Sequence, residues 1–221
     1  MKLVVFDVDG TLVDSGAEIA RRVNLAFADL GLPPPTLETI RASVGLSLPI
    51  YMAAVAGTDD PELVDRLVAA YRATASVTPP GRMPLFAGAR EALERLHARR
   101  EVLLGIATGK GRVGLESTLS QNGIGSFFVT LQTPDTNPSK PHPSMLLSAM
   151  AETGATAQET VMVGDAVFDI EMAQAAGVKS IAVSWGLQPV AKLRAAGAAA
   201  VIGDFEALDA AIDRLLETVH A

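Results

Sequence analysis

The chain has no cysteine among its 221 residues. That excludes a disulfide framework, a thiolate nucleophile and cysteine-ligated zinc, and it fits a reducing compartment. Aromatic residues make up only 5% and charged residues 19%, against 49% hydrophobic. Such a balance builds a sizeable core and excludes an intrinsically disordered chain. There is no excess of positive charge: 18 Lys and Arg face 25 Asp and Glu, a formal net charge of −7. The basic stripe that nucleic acid requires is therefore missing. An anionic ligand must be drawn in by local cations rather than by the whole-molecule field. No apolar run approaches the roughly 18 residues of a membrane span. The start of the chain, one Lys and four apolar residues giving way at once to acid, is not a secretory leader. These absences predict a cytoplasmic protein with no nucleic-acid or membrane partner, a monomer or a homodimer.

What is present is a set of short apolar runs: Leu3–Phe6, Val102–Ala107, Phe127–Leu131, Thr160–Val163, Ser180–Val183 and Ala200–Ile202. Each is rich in β-branched residues and bounded by Gly or polar residues, the pattern of a buried strand. Helical patterns over Gly88–Arg100, Arg112–Asn122, Ser144–Thr153 and Asp169–Ala176 lie between them, with Gly123, Gly154 and Gly177 where C-terminal caps belong. Strand alternating with helix predicts an α/β domain: a parallel sheet covered on both faces. The Ala-rich stretch at 195–200 is read as a helix end running into a strand. Residues 15–80 break the rhythm. They hold no clear strand, and Glu18–Leu30, Leu37–Val44, Leu48–Ala56 and Pro61–Ala75 read as four helices. The last opens on Asp60 as N-cap with Pro61 in the first turn. Val77–Pro84 then reads as a linker. The sequence thus predicts an all-α domain, residues 15–83, inserted into a core of residues 1–14 and 84–221.

In a parallel α/β sheet, ligands bind beyond the carboxyl ends of the strands. Asp7 and Asp9 follow the first run, Thr108 the second and Asp165 the fourth, with Asp169 four residues on and Lys140 in the loop after the third. Carboxylates converging without a cation repel one another. A hard divalent ion resolves this, and an all-oxygen donor set points to Mg²⁺ rather than zinc. A Lys and a Thr hydroxyl at the same edge suit phosphate oxygens. One carboxylate can attack phosphorus and a second can protonate the leaving oxygen.

These residues carry a resemblance. The chain is similar to the haloacid dehalogenase superfamily, in its phosphoglycolate phosphatase-like branch with an inserted helical cap. The family's four motifs stand in order as Asp7-Val8-Asp9-Gly10-Thr11, Thr108 in Ala107-Thr108-Gly109-Lys110, Lys140 before Pro141, and Gly164-Asp165-Ala166-Val167-Phe168-Asp169. The resemblance implies a Rossmann-like core and Mg²⁺-dependent hydrolysis of a small phosphorylated metabolite through an aspartyl-phosphate. It implies Asp7 as nucleophile and metal ligand, and Asp9 as general acid and base with its main-chain carbonyl on the metal. Thr108 and Lys140 would hold the phosphoryl group beside Gly10 and Gly109. Asp165 would bind the metal, and Asp169 would support it directly or through water. Arg41, Ser43 and Ser47 are specificity candidates in the cap.

The sequence departs from the family pattern in two places. Ala166 stands where most relatives carry a hydroxyl, and Leu85-Phe86-Ala87 stands where the group usually has a proline. Asn24, where sugar phosphomutases of the superfamily tend to carry His, leans away from a mutase, and Asp9 leans away from a dehalogenase. A non-catalytic phosphate- or protein-binding relative is the reading from another class, and the complete motif set counts against it. His142, between two prolines, is read as shaping its turn. His97 and His220 are read as helix surface, Trp185 as a packing residue, and Arg21, Arg22, Arg99 and Arg100 as solvated. Lys110 and Arg112, flanking Thr108, fit a solvated helix start as well as a substrate contact.

Overall fold

The central strand β1 (Lys2–Phe6) is apolar on both faces because both faces are covered. In the computed structural model, which describes residues 1–77 and 83–216, Leu3, Val4, Val5 and Phe6 are all fully buried. Val4 and Phe6 join one hydrophobic core and Leu3 and Val5 another, on opposite sides of the sheet. Full burial of each such side chain contributes about 1.5–3 kcal/mol, so this short run anchors both layers.

Around β1 lie β2 (Val102–Ala107), β3 (Phe128–Gln132), β4 (Thr160–Gly164), β5 (Lys179–Val183) and β6 (Ala200–Ile202), all parallel, in the order β3-β2-β1-β4-β5-β6. All six predicted strands are present. Leu93 and Leu96 of α5 (Ala89–His97), Leu115 of α6 (Arg112–Asn122) and Leu208 and Ile212 of α10 (Leu208–Leu216) cover one face. Met145 and Leu146 of α7 (Ser144–Thr153) and Met172 of α8 (Val167–Ala175) cover the other. A short α9 (Val190–Ala195) packs Leu193 near β5 and leads into β6. The fold class is the predicted α/β, Rossmann-like architecture. Because strand order reverses beside β1, the ends of β1 and β4 form a topological switch point, where a crevice opens.

Between β1 and α5 run four helices, α1 (Gly16–Asp29), α2 (Leu37–Ala42), α3 (Leu48–Ala56) and α4 (Pro61–Val77). They share a core of their own, built on Val23, Phe27, Ile40, Met52 and Leu67. Asp60 caps α4 by accepting from the Glu62 N–H at 3.0 Å. The chain leaves and re-enters the sheet domain along adjacent segments: Asp14 N–H donates to Pro84 O at 2.8 Å and Phe86 N–H to Leu12 O at 3.0 Å. Most of the predicted linker, residues 78–82, and the predicted surface His220 lie outside the described residues. Among the described residues no helix is long and apolar enough to cross a membrane.

Candidate active site

Parallel strands deliver their carboxyl ends to one edge, and the predicted polar residues meet there. Asp7, Asp165 and Asp169 each place a carboxylate oxygen within 4.8 Å of the others, and all three are buried. Lys140, its side chain fully buried, reaches across from the loop after β3. Its Nζ donates to Asp169 Oδ1 at 2.6 Å and lies 3.0 Å from Asp7 Oδ1. Apart from that ion pair with Lys140, both Asp7 oxygens are buried with no partner among the described residues.

The loop geometry around Asp165 explains two residue choices. Gly10 has φ +85°, a left-handed conformation, and a Cβ there would overlap the Asp165 carboxylate. A Cβ on Gly186, after β5, would overlap Asp165 from the other side. Between them, Thr11 Oγ1 donates to Asp165 Oδ1 at 3.0 Å and Leu187 N–H to Oδ2 at 2.8 Å. Asp169 Oδ2 accepts from Ala166 N–H at 3.0 Å, at the start of α8. The methyl of Ala166 adds no donor, and the backbone amide alone serves that oxygen.

Electrostatics follow from the crowding. Burial pushes the Asp7 carboxyl up from 3.8 to about 7; Lys140 opposes the rise and the charges of Asp169 and Asp9 add to it. Burial, then Asp7 and Asp169, hold Asp165 well above the ordinary carboxylate range. Burial works against the charge of Lys140, yet Asp169 and Asp7 outweigh it and keep the ammonium above its ordinary range. Fully ionised, three carboxylates against one ammonium leave two negative charges in a dry pocket. An all-oxygen donor set with that residual charge fits a hard divalent cation.

Asp9 sits beside this cluster and faces a cavity of about 950 Å³ between the sheet edge and the helical insertion. Its Oδ2 pairs with Lys110 Nζ at 3.0 Å, and its Oδ1 is buried without a hydrogen-bond partner. Thr108, 1% exposed, lines the same cavity, and its Oγ1 accepts from the Lys110 N–H at 3.2 Å. The insertion closes against the core at this point. A Cβ on Gly109 would overlap the Gly45 and Leu46 carbonyls, and Ser47 N–H donates to Ser139 Oγ at 2.8 Å. Gln188 bridges the two parts, accepting from Val167 N–H at 3.0 Å and donating to Ala42 O at 3.0 Å.

Asp7, Asp9, Thr108, Gly109 and Lys110 therefore line or floor one cavity, with Gly10, Lys140, Asp165 and Asp169 behind it. Arg41 is exposed on the last turn of α2 and does not line the cavity, and neither does Ser43; Ser47 does. Arg22, read from sequence as solvated, lines the cavity from α1, and Arg99 is ion-paired with Asp213. Thr11 orients Asp165, while its carbonyl accepts from Trp185 Nε1 at 3.0 Å; the Trp185 ring packs on Phe205. His142 Nδ1 accepts from Ser144 N–H at 3.2 Å, which suits a turn residue. Arg22, Tyr51 and Tyr71 were invisible as site residues, because only the packing of the insertion turns them inward.

Comparison with known proteins shows the family and the fold. Residues 4–183 match the model of the haloacid dehalogenase-like hydrolases. The probable phosphatase IndB of Dickeya dadantii is 34% identical over 97% of this chain and 95% of its own length. A phosphoglycolate phosphatase of Pseudomonas putida is 32% identical over 94% of this chain and 78% of its own. In structure, a haloacid dehalogenase-like hydrolase of Streptococcus pneumoniae superposes with a TM-score of 0.83 at 24% identity, over 96% and 98% of the two chains. On its sequence as well as its fold, the chain belongs to the haloacid dehalogenase-like hydrolase family.

Proposed function

We propose that this hydrolase is a phosphatase that cleaves small phosphomonoesters through an aspartyl-phosphate on Asp7, with Mg²⁺ as cofactor. The observation that carries the reading is the buried Asp7 carboxylate. It is held in an ion pair with Lys140 beside the other two aspartates, and beyond that pair neither of its oxygens has a partner among the described residues. Asp7, the main-chain carbonyl of Asp9 and Asp165 would hold the metal, which when bound neutralises phosphoryl charge. Both Asp169 oxygens are already engaged, by Lys140 and Ala166 N–H. Asp169 holds Lys140 in place and, with a carboxylate oxygen within 4.8 Å of Asp7 and Asp165, would support the metal directly or through water.

In the first step an Asp7 oxygen forms a bond to phosphorus as the bond to the leaving oxygen breaks. Asp9 Oδ1, without a partner in the protein, gives its proton to that oxygen, releasing the alcohol. In the second step Asp9 takes a proton from water, the water oxygen bonds to phosphorus, and the Asp7–phosphorus bond breaks to release phosphate. Thr108 Oγ1, the Gly109 main chain and Lys140 bind the phosphoryl oxygens, and Gly10 lets the loop pass close to Asp165. This is positioning and charge neutralisation, the main needs of phosphoryl transfer. Residues 15–83 act as a cap on the core of 1–14 and 84–221, closing as in the contacts at Gly45–Ser47 to exclude water.

Phosphoglycolate, the substrate in the name of the Pseudomonas putida relative, is the first compound to assay. The test is phosphate release with and without Mg²⁺, for the wild type and Asp7→Asn. The reading predicts release that needs both the metal and Asp7; hydrolysis that persists in Asp7→Asn would sink it.

A further inference from the structure

The chemistry above uses only groups from the sheet edge. Across the cavity, the insertion presents polar groups that this chemistry leaves idle. Arg22 of α1 stacks its guanidinium 4.2 Å from the centre of the Tyr71 ring, donates from Nε to Thr74 Oγ1 at 2.8 Å and from Nη2 to Tyr71 O at 3.1 Å. Neither acceptor is acidic, and Arg22 forms no ion pair among the described residues. A guanidinium carries five N–H donors, and among the described residues Arg22 uses two of its nitrogens, Nε and Nη2, in hydrogen bonds. On the same cavity, Tyr51 of α3 is 5% exposed and its hydroxyl has no hydrogen-bond partner among the described residues. A buried hydroxyl left unpaired costs about 1–3 kcal/mol, so its partner is to be sought in the cavity. Arg22, Tyr51, Tyr71 and Lys110 all line that cavity. Burial raises the Tyr51 phenol, with Tyr71 and Asp9 adding to it.

A fixed guanidinium and an unpaired phenol O–H on one cavity offer donors and positive charge, while Asp9 on the same cavity is already paired with Lys110. Their complement is an oxyanion. We propose that Arg22 and Tyr51 form a second anion subsite in the cap that holds a carboxylate or second phosphate on the leaving group. Preferred substrates are then phosphomonoesters of an alcohol that itself bears an oxyanion. This rests on the phosphatase reading, and it assigns specificity to Arg22 rather than to Arg41, which lies outside the cavity.

The test compares kcat/KM of the full chain with Mg²⁺ on three compounds. Ethyl phosphate has a neutral leaving group, phosphoglycolate an added carboxylate, and a short alkyl bisphosphate a second phosphate. The subsite predicts that the wild type prefers one of the two anionic compounds, and that choice identifies the oxyanion. Arg22→Gln and Tyr51→Phe then lower kcat/KM on the preferred compound by about tenfold to a hundredfold, the loss expected for one charge-assisted hydrogen bond. Ethyl phosphate stays within about threefold of wild type in both variants. Tyr51→Phe removes only an unpartnered oxygen, so it keeps the test sound if Arg22→Gln folds poorly. A wild-type preference for ethyl phosphate, or equal losses on all three compounds, would overturn the subsite while leaving the phosphatase reading intact. Phosphate release from none of them would remove the phosphatase reading itself, and the subsite with it.

Discussion

Replacing Lys140 by Met keeps the length of the side chain and removes its charge. In the structure Lys140 is fully buried and stands 3.0 Å from Asp7 Oδ1 and 2.6 Å from Asp169 Oδ1. The variant leaves three carboxylates in one dry cluster with no cation. Removing one partner from a buried ion pair costs about 3–5 kcal/mol. Protonation of Asp7, already pushed up to about 7, relieves part of this near neutral pH. The low end, about 3 kcal/mol, is therefore the figure for pH 7. In a chain of this size each kcal/mol moves Tm by about 2–4 °C, so Lys140→Met should melt about 6–12 °C below wild type in chelator-treated buffer. The deficit should grow toward pH 8, where the carboxylates ionise, and shrink toward pH 5. Saturating Mg²⁺ should recover much of it, because a ligand that binds only the folded state stabilises it. Differential scanning calorimetry at both pH values, with and without metal, measures all of this. A variant that melts with the wild type in metal-free buffer, or a deficit independent of pH, would refute the reasoning.

Metal-free wild-type protein should itself lose stability as pH rises from about 4 to about 7. Over that window folded Asp7 keeps its proton while the unfolded chain has lost its own, so the slope is about −1.4 kcal/mol per pH unit for that group. Urea titrations across the window would show the slope, and Mg²⁺ should flatten it; stability rising with pH over this range would contradict the burial argument. Gly109→Val places a side chain where the Gly45 and Leu46 carbonyls lie, so it should hold the cap off the core. A misplacement of about 1 Å costs about a hundredfold in rate. The variant should lose about that much kcat/KM and melt about 2–12 °C lower, since overpacking against backbone costs about 1–3 kcal/mol, and unimpaired turnover would show that closure at this contact is not needed.

The sheet was legible because its strands are short apolar runs buried on both faces, and β1, β2 and β4 end on the residues that meet at the site. Helix α9 gave no such signal: six residues with one fully buried side chain, Leu193, make too short a stripe to show a period. Helix α10 has a clear amphipathic pattern, with Leu208, Ala211, Ile212 and Leu216 buried, and could have been foreseen. Asp7, Asp9, Thr108 and Asp165 could be read because they follow strand ends, and Lys140 in its loop and Asp169 on α8 because they complete the ordered motif set. The pairing of Lys110 with Asp9 and the inward turn of Arg22 could not. Both depend on how the insertion sits over the core, and a helical arginine faces water or a cavity according to a rotation that sequence pattern alone does not set. Arg41 shows the same limit from the other side, since its place near the cap loop suggested contact and α2 turns it outward.

The central claim is that Asp7 carries the phosphoryl group in transit. The most direct measurement is an acid quench of a single turnover with Mg²⁺ and the best substrate found, followed by mass spectrometry of the peptide that contains Asp7. The account predicts a phosphoryl group on Asp7 that appears before free phosphate and decays as phosphate forms. Rapid release of phosphate with Asp7 unmodified at every time point, under conditions that preserve acyl phosphates, would contradict it.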